Sequence, residues 1–161
     1  MIKLHLGCGD NYLGGWVNID LESKKADKRL DLTKDLPYTS GIVTCIYAEH
    51  FIEHIKYNEL QGLLKECYRV LVPSGVIRVS TPDLCHLIGC YFNGQIGEWR
   101  KEYKWAPESP CRMVNEAFTL WGHKYVYDEP ELFHLLEIAG FTEIKRCLWK
   151  DSGYIDFYNI E

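Results

Sequence analysis

The sequence predicts an α/β fold built on a mostly parallel sheet, and three observations carry that expectation. A short apolar run over residues 2–6 leads into Gly7, Cys8 and Gly9, then into a second apolar run that ends on Asp20. Between residues 42 and 80 an apolar run, an amphipathic stretch and another apolar run follow in the order of a right-handed βαβ unit. Two strand-like runs close the chain across Asp151, Ser152 and Gly153, so one strand is expected to run antiparallel in a terminal hairpin.

Each element has its own signal. Residues 2–6 and 17–19 read as buried strands, yet about ten residues separate them, fewer than a parallel crossover usually needs. The first helix is therefore expected to be shortened. Residues 42–47 form an apolar run suited to the middle of a parallel sheet. A helix is expected over 58–71, with Asn58 as N-cap, Gln61 three residues on, and Leu60, Leu63, Leu64, Cys67, Val70 and Leu71 on one stripe. Pro73, Ser74 and Gly75 end it, and 76–80 is the next strand. Residues 84–125, rich in aromatics and broken by Pro107 and Pro110, read as two short helices forming a cap over the sheet edge. Asp128, Pro130 and Glu131 then open a helix that Gly140 stops, with Phe141 packing back on its last turn. Strands over 143–149 and 154–160 make the hairpin.

Composition narrows the function. A chain of 161 residues, 47% hydrophobic and 25% charged, fits one domain with its own core. The net charge of -5 argues against a broad nucleic-acid face, and Lys24, Lys25, Lys28 and Arg29 read as a solvated loop. No apolar run is long enough to span a membrane, and no secretion signal opens the chain. Seven scattered cysteines without a C-x-x-C fit reduced thiols and a cytoplasmic location.

The stretch from Lys3 to Asp20 reads as a cofactor cradle. Gly7 and Gly9 let backbone approach a ligand closely, and an acid ending the next strand can take ribose hydroxyls. The usual dinucleotide pattern G-x-G-x-x-G is absent, because position 12 is Tyr12.

Six pieces, taken in order, carry a family resemblance: LHLGCGD, VNID, DLTKDLP, AEHFIEHI, ECYRVLVPSGVIRVSTPD and YDEPELFHLLEIAGF. Nearly end to end, the chain resembles the class I S-adenosylmethionine-dependent methyltransferases, in particular small members of the type 11 kind. The resemblance implies a Rossmann-like three-layer sandwich, with a seven-stranded sheet in the order 3-2-1-4-5-7-6 and strand 7 antiparallel. It implies S-adenosylmethionine as cofactor and S-adenosylhomocysteine as product. By position, Leu6, Gly7, Cys8 and Gly9 match the turn at the methionine part, and Asp20 with Leu21 the ribose site. Asp31 and Leu32 match the pair at adenine, and Ala48 and Glu49 the strand end beside the sulfonium. His5 stands where the family commonly has an acid, Asn11 where it has a third glycine, and Thr44 where it has Asp. Either the cofactor binds more weakly for this, or Asn11 and Tyr12 hold the turn.

The expected reaction is methyl transfer to an O or N atom of a small-molecule or glycan-like acceptor, with His50 and His123 as candidate general bases. A carboxylate at the sulfonium would favour the ground state, so Glu49 is expected to anchor the cofactor's amino group or the acceptor. No metal site is expected: His50 and His54 lack the H-E-x-x-H order, and Cys85, His86 and Cys90 lack a fourth ligand. Two alternatives stay open, a non-catalytic binding protein on the same fold and a nicotinamide-dependent oxidoreductase. The aromatic cap also fits a homodimer face.

Overall fold

The computed structural model describes residues 1–161 except 96–98, 100, 102, 103, 159 and 161, so the middle of the expected cap lies outside the described residues. The strands are β1 Ile2–Leu6, β2 Val17–Asp20, β3 Lys28–Arg29, β4 Val43–Glu49 and β5 Leu71–Ser80. The helices are α1 Tyr57–Val70, α2 Leu84–Phe92, α3 Pro110–Thr119 and α4 Glu129–Ala139. The five strands form one sheet in the order β3-β2-β1-β4-β5, every pair parallel.

Strand periodicity sorts the sheet into two faces. Leu4, Leu6, Ile19, Ile46 and Ala48 point to one face and meet Leu60, Leu64 and Cys67 of α1 and Leu135 of α4, all buried. The alternate positions His5, Asn18 and Tyr47 point to the other, where Trp16, Cys45, Tyr47 and Phe157 make a separate buried cluster. That cluster draws on loop and tail residues. The expected three-layer sandwich is therefore, among the described residues, a sheet with a helical layer on one side and a non-helical cover on the other.

Two causes explain the cover. Residues 7–16 contain turns and no helix, so the first helix is missing and not merely shortened. Gly7, Gly9, Gly14 and Gly15 crowd the segment, three of them at positive φ, and glycine is a poor helix former. The tail supplies the other cause. Residues 143–149 join no ladder, and Ile155–Phe157 is a single 3-10 turn, so the antiparallel hairpin and seven-stranded sheet are not formed among the described residues. Glu143 and Lys150 adopt φ of 55° and 58°, which breaks an extended run at both ends. Arg78 of β5 donates to the carbonyls of Leu148 and Asp151 and holds this segment by its side chain.

The helix boundaries also sharpen. Lys56 takes the N-cap place of α1 without a side-chain bond, and Asn58 lies inside the helix. A helix start needs only one flanking residue in extended backbone, which Lys56 supplies at ψ 147°. Pro73, Ser74 and Gly75 fall within β5, where the ladder jumps from Val43–Leu71 to Cys45–Val76 and Ser74 adopts φ 65°. They form a bulge, not a loop before the strand. The last helix matches expectation: Asp128 accepts from the Glu131 amide, Gly140 sits at φ 107°, and the Phe141 amide bonds the Leu136 carbonyl. In the cap, α2 and α3 pack together through Leu87, Cys90, Met113 and Ala117. Among the described residues, no helix is long and apolar enough to cross a membrane.

Candidate cofactor site

The site forms where β1, β2 and β4 end side by side, because parallel strands bring their carboxyl ends to one edge. The chain leaves β1 through Gly7 at φ 64° and Gly9 at φ 49°. These glycines serve different ends. A Cβ on Gly7 would stand 2.1 Å from the Phe51 ring, whereas one on Gly9 would meet nothing within 4 Å. Gly7 is thus required by packing, and Gly9 keeps open space over the turn.

Asp20 holds that turn in place. Its Oδ2 accepts from the Gly9 amide at 2.9 Å, and its Oδ1 accepts from the amides of Glu22 and Ser23 at 2.9 and 2.8 Å. Burial alone would raise the Asp20 carboxyl, but these amides outweigh it and hold it below the usual carboxylate range. Each carboxylate oxygen has two lone pairs, so one acceptor position is left, on Oδ2. The Cys8 amide donates to Ile19 at 3.1 Å, and the buried Cys8 thiol is pushed up by that burial.

A polar network replaces the missing helix. His5 Nδ1 lies 3.0 Å from Asn18 Oδ1, which also accepts from the Leu13 amide at 2.9 Å. Asn18 Nδ2 donates to the Leu13 and Trp16 carbonyls and to Asp27, and Asp27 accepts from Tyr12 at 3.2 Å. Asn11 bonds back to the Cys8 carbonyl through its amide and reaches Glu49 Oε2 at 3.4 Å with its side chain. Asn18 and Asp27 were not singled out from sequence. The available signal was one polar residue at the centre of VNID, a position where burial demands a partner.

The remaining candidates divide. Leu6 and Ala48 are buried beneath the turn, Leu21 is exposed at its rim, and Glu49 is half-buried on the β4 end. Asp31 is exposed, and its Oδ1 accepts both the hydroxyl and the amide of Thr33, bonds that lower its carboxyl. The Leu32 side chain is in the core. His50, at φ 45°, points its Nδ1 at Glu53 Oε1 at 3.1 Å. His123 approaches the same Glu53 carboxylate from the chain's return, its Nδ1 donating to the Ala117 carbonyl at 2.7 Å and its ring packing on His54 and Trp121. A cavity of about 680 Å³ lies along the outer edge of β5, lined by Arg78, Asp83, Leu132, Arg146 and Trp149, away from the glycine turn.

A parallel sheet in this order, with Gly-x-Gly after β1 and an acid ending β2, is a Rossmann-like α/β arrangement. Compared with known proteins, residues 15–79 match a family model described as a methyltransferase domain, Methyltransf_11. Among solved structures, the fold is similar to a SAM dependent methyltransferase from Archaeoglobus fulgidus, with a TM-score of 0.58 and 20% identity over 89% of this chain. The chain spans 62% of the length of that structure, and at this identity the likeness concerns the fold. No curated protein matches.

Proposed function

We propose that this chain is an S-adenosylmethionine-dependent methyltransferase acting on an O or N atom of a small-molecule or glycan-like acceptor. The observation that carries the reading is the Gly9 turn: its amide is pinned on an ionised Asp20 while the space over its α-carbon is open. That fits a ligand that brings a ribose and an amino acid but no phosphate. Gly7, Cys8 and Gly9 would face the methionine part through backbone, and the free lone pair of Asp20 Oδ2 would take a ribose hydroxyl. Asp31 and the Leu32 amide would meet adenine, and Glu49, steadied by Asn11, would anchor an amino group or the acceptor. Bound S-adenosylmethionine supplies an electrophilic methyl group.

The protein's own contribution is position and proton removal. Holding two reactants in attack geometry supplies roughly 7–11 kcal/mol of a barrier. His50 is the base this reading favours. Glu53 accepts from its Nδ1, a pairing that orients the imidazole as a base for a hydroxyl acceptor. A net charge of -5 supports a small acceptor over nucleic acid, and seven cysteines outside any disulfide support a reducing, cytoplasmic setting.

Thermal unfolding with S-adenosylhomocysteine tests the cofactor step. The expected result is a rise in Tm that saturates, close to 2.7 kcal/mol of stabilisation at about a hundredfold excess over Kd, and its loss in Asp20→Ala. An unchanged Tm at millimolar ligand overturns it. The missing first helix favours one second reading, a protein that binds the cofactor without turnover. Binding with no labelled methyl incorporated into any hydroxyl or amine acceptor would select it.

A further inference from the structure

Three side chains with metal-ligating atoms converge on the 3-10 turn Ile52–His54 after β4. One carboxylate oxygen of Glu53 and one ring nitrogen each of His54 and His123 lie within 4.8 Å of one another. We infer that Glu53, His54 and His123 form a binding site for a divalent transition-metal ion.

Three features make this a built site and not a chance meeting. The backbone fixes the partners across seventy residues, because the amides of Lys124 and Tyr125 both donate to the Glu53 carbonyl, at 2.6 and 3.2 Å. Outer hydrogen bonds orient the ligands, as they do around known metal ions. His123 gives its Nδ1 hydrogen to Ala117, which leaves the Nε2 lone pair, and Glu53 accepts from His50 on one oxygen and Thr81 on the other. Each carboxylate oxygen keeps a second lone pair. The third feature is charge. Glu53 is fully buried, and among the described residues its one ion-pair partner is His50, not a lysine or arginine. A metal cation would balance this buried carboxylate.

Two imidazoles and one carboxylate suit zinc or cobalt over magnesium or calcium, which prefer oxygen donors. Three protein ligands leave at least one position for water or an acceptor oxygen. The site does not depend on the methyl-transfer proposal.

Titration of the full chain with Co²⁺, read by visible absorption, tests it. One equivalent is expected to give the bands of an N/O-coordinated ion without a thiolate charge-transfer band. His54→Gln and His123→Gln are each expected to weaken binding at least about tenfold. The exposed thiols Cys85, Cys111 and Cys147 are controls, and their joint replacement by serine is expected to change nothing. Zn²⁺ added to the wild type is expected to shift the imidazole NMR resonances of His54 and His123, a readout that needs no variant. Absence of saturable binding, binding indifferent to both histidine changes, or a thiolate band lost with the serine variant would each overturn the site.

Discussion

Gly7 and Gly9 share a turn and a positive φ, yet substitution separates their roles. Gly7→Ala adds backbone strain and drives a methyl into the Phe51 ring, so a loss of roughly 2–4 kcal/mol in urea unfolding is expected. Gly9→Ala carries only the strain of the left-handed region, about 1–2 kcal/mol, because its Cβ meets no protein atom. The same methyl fills the cradle, so affinity for S-adenosylhomocysteine should fall by far more than stability does. Equal affinity in wild type and Gly9→Ala would remove the ligand from this turn. His5 gives a second residue-scale test. Burial holds its imidazole below the ordinary value of 6.5, so it is neutral when folded. Between the folded-state pKa and 6.5 the unfolded chain binds a proton that the folded chain does not. His5 therefore leaves stability intact above 6.5 and subtracts from it as pH falls through that window. Urea midpoints of the wild type should drop as pH falls below 6.5, and His5→Gln, which keeps an amide for Asn18, should flatten that drop. The carboxyls held low, Asp20 and Glu53, lose their contribution only at lower pH, so they do not mask the window.

Among the elements, α1 does more than fill the core. Arg69 grips Glu66 through Nε and Nη2 at 2.7 and 2.6 Å and donates to the carbonyls of Tyr38 and Leu36 at 2.8 and 3.1 Å, while Glu66 accepts from the Leu36 amide. This fork fastens the loop that carries Asp31 and Leu32 onto the helix. Arg69→Ala leaves backbone carbonyls without their donor and should cost about 1–3 kcal/mol, and Arg69→Lys should recover little because a single ammonium cannot match the fork. Full recovery by lysine would mean that charge alone holds the loop. Elements with a local cause were legible in advance. The α1 stripe follows from the spacing of Leu60, Leu64 and Cys67, and the α4 start and stop from Asp128 and Gly140. The pairing of the glycine turn with Asp20 was legible for a like reason, since Gly7, Gly9 and Asp20 lie within one short stretch. What could not be read depends on contacts distant in sequence. Asn58 looked like a cap, but Tyr57 enters the helix and donates to Glu131 across the α1–α4 interface at 2.6 Å. Glu53 meets His123 only because the chain returns after seventy residues, a pairing no local spacing encodes.

At the scale of the whole molecule, the unusual feature is how the second face of the sheet is closed. With no helix over residues 7–16, the apolar atoms of Tyr47, Val76 and Cys45 need another cover, and the tail provides it. Phe157 is 1% exposed and stacks at a tilt on Trp16 with ring centroids 5.8 Å apart, and Trp16 in turn leans on Tyr47. Asp156 completes the seal by pairing with Lys3 at 3.2 Å, and Lys3 also stands over the Trp16 ring. The aromatic seal outweighs the ion pair, because a partly exposed pair contributes about 1 kcal/mol at most while a buried ring removes far more apolar area from water. Phe157→Ala is therefore expected to lower stability by about 3–5 kcal/mol in urea unfolding, against less than about 1 kcal/mol for Asp156→Asn. The cover sits on the face that also holds His5 and Asn18, so loosening it should admit water to that pair and weaken the cradle's hold on Asp20. Retained affinity for S-adenosylhomocysteine in a folded Phe157→Ala protein would show that the glycine turn stands without the tail, and would confine the tail to stability alone.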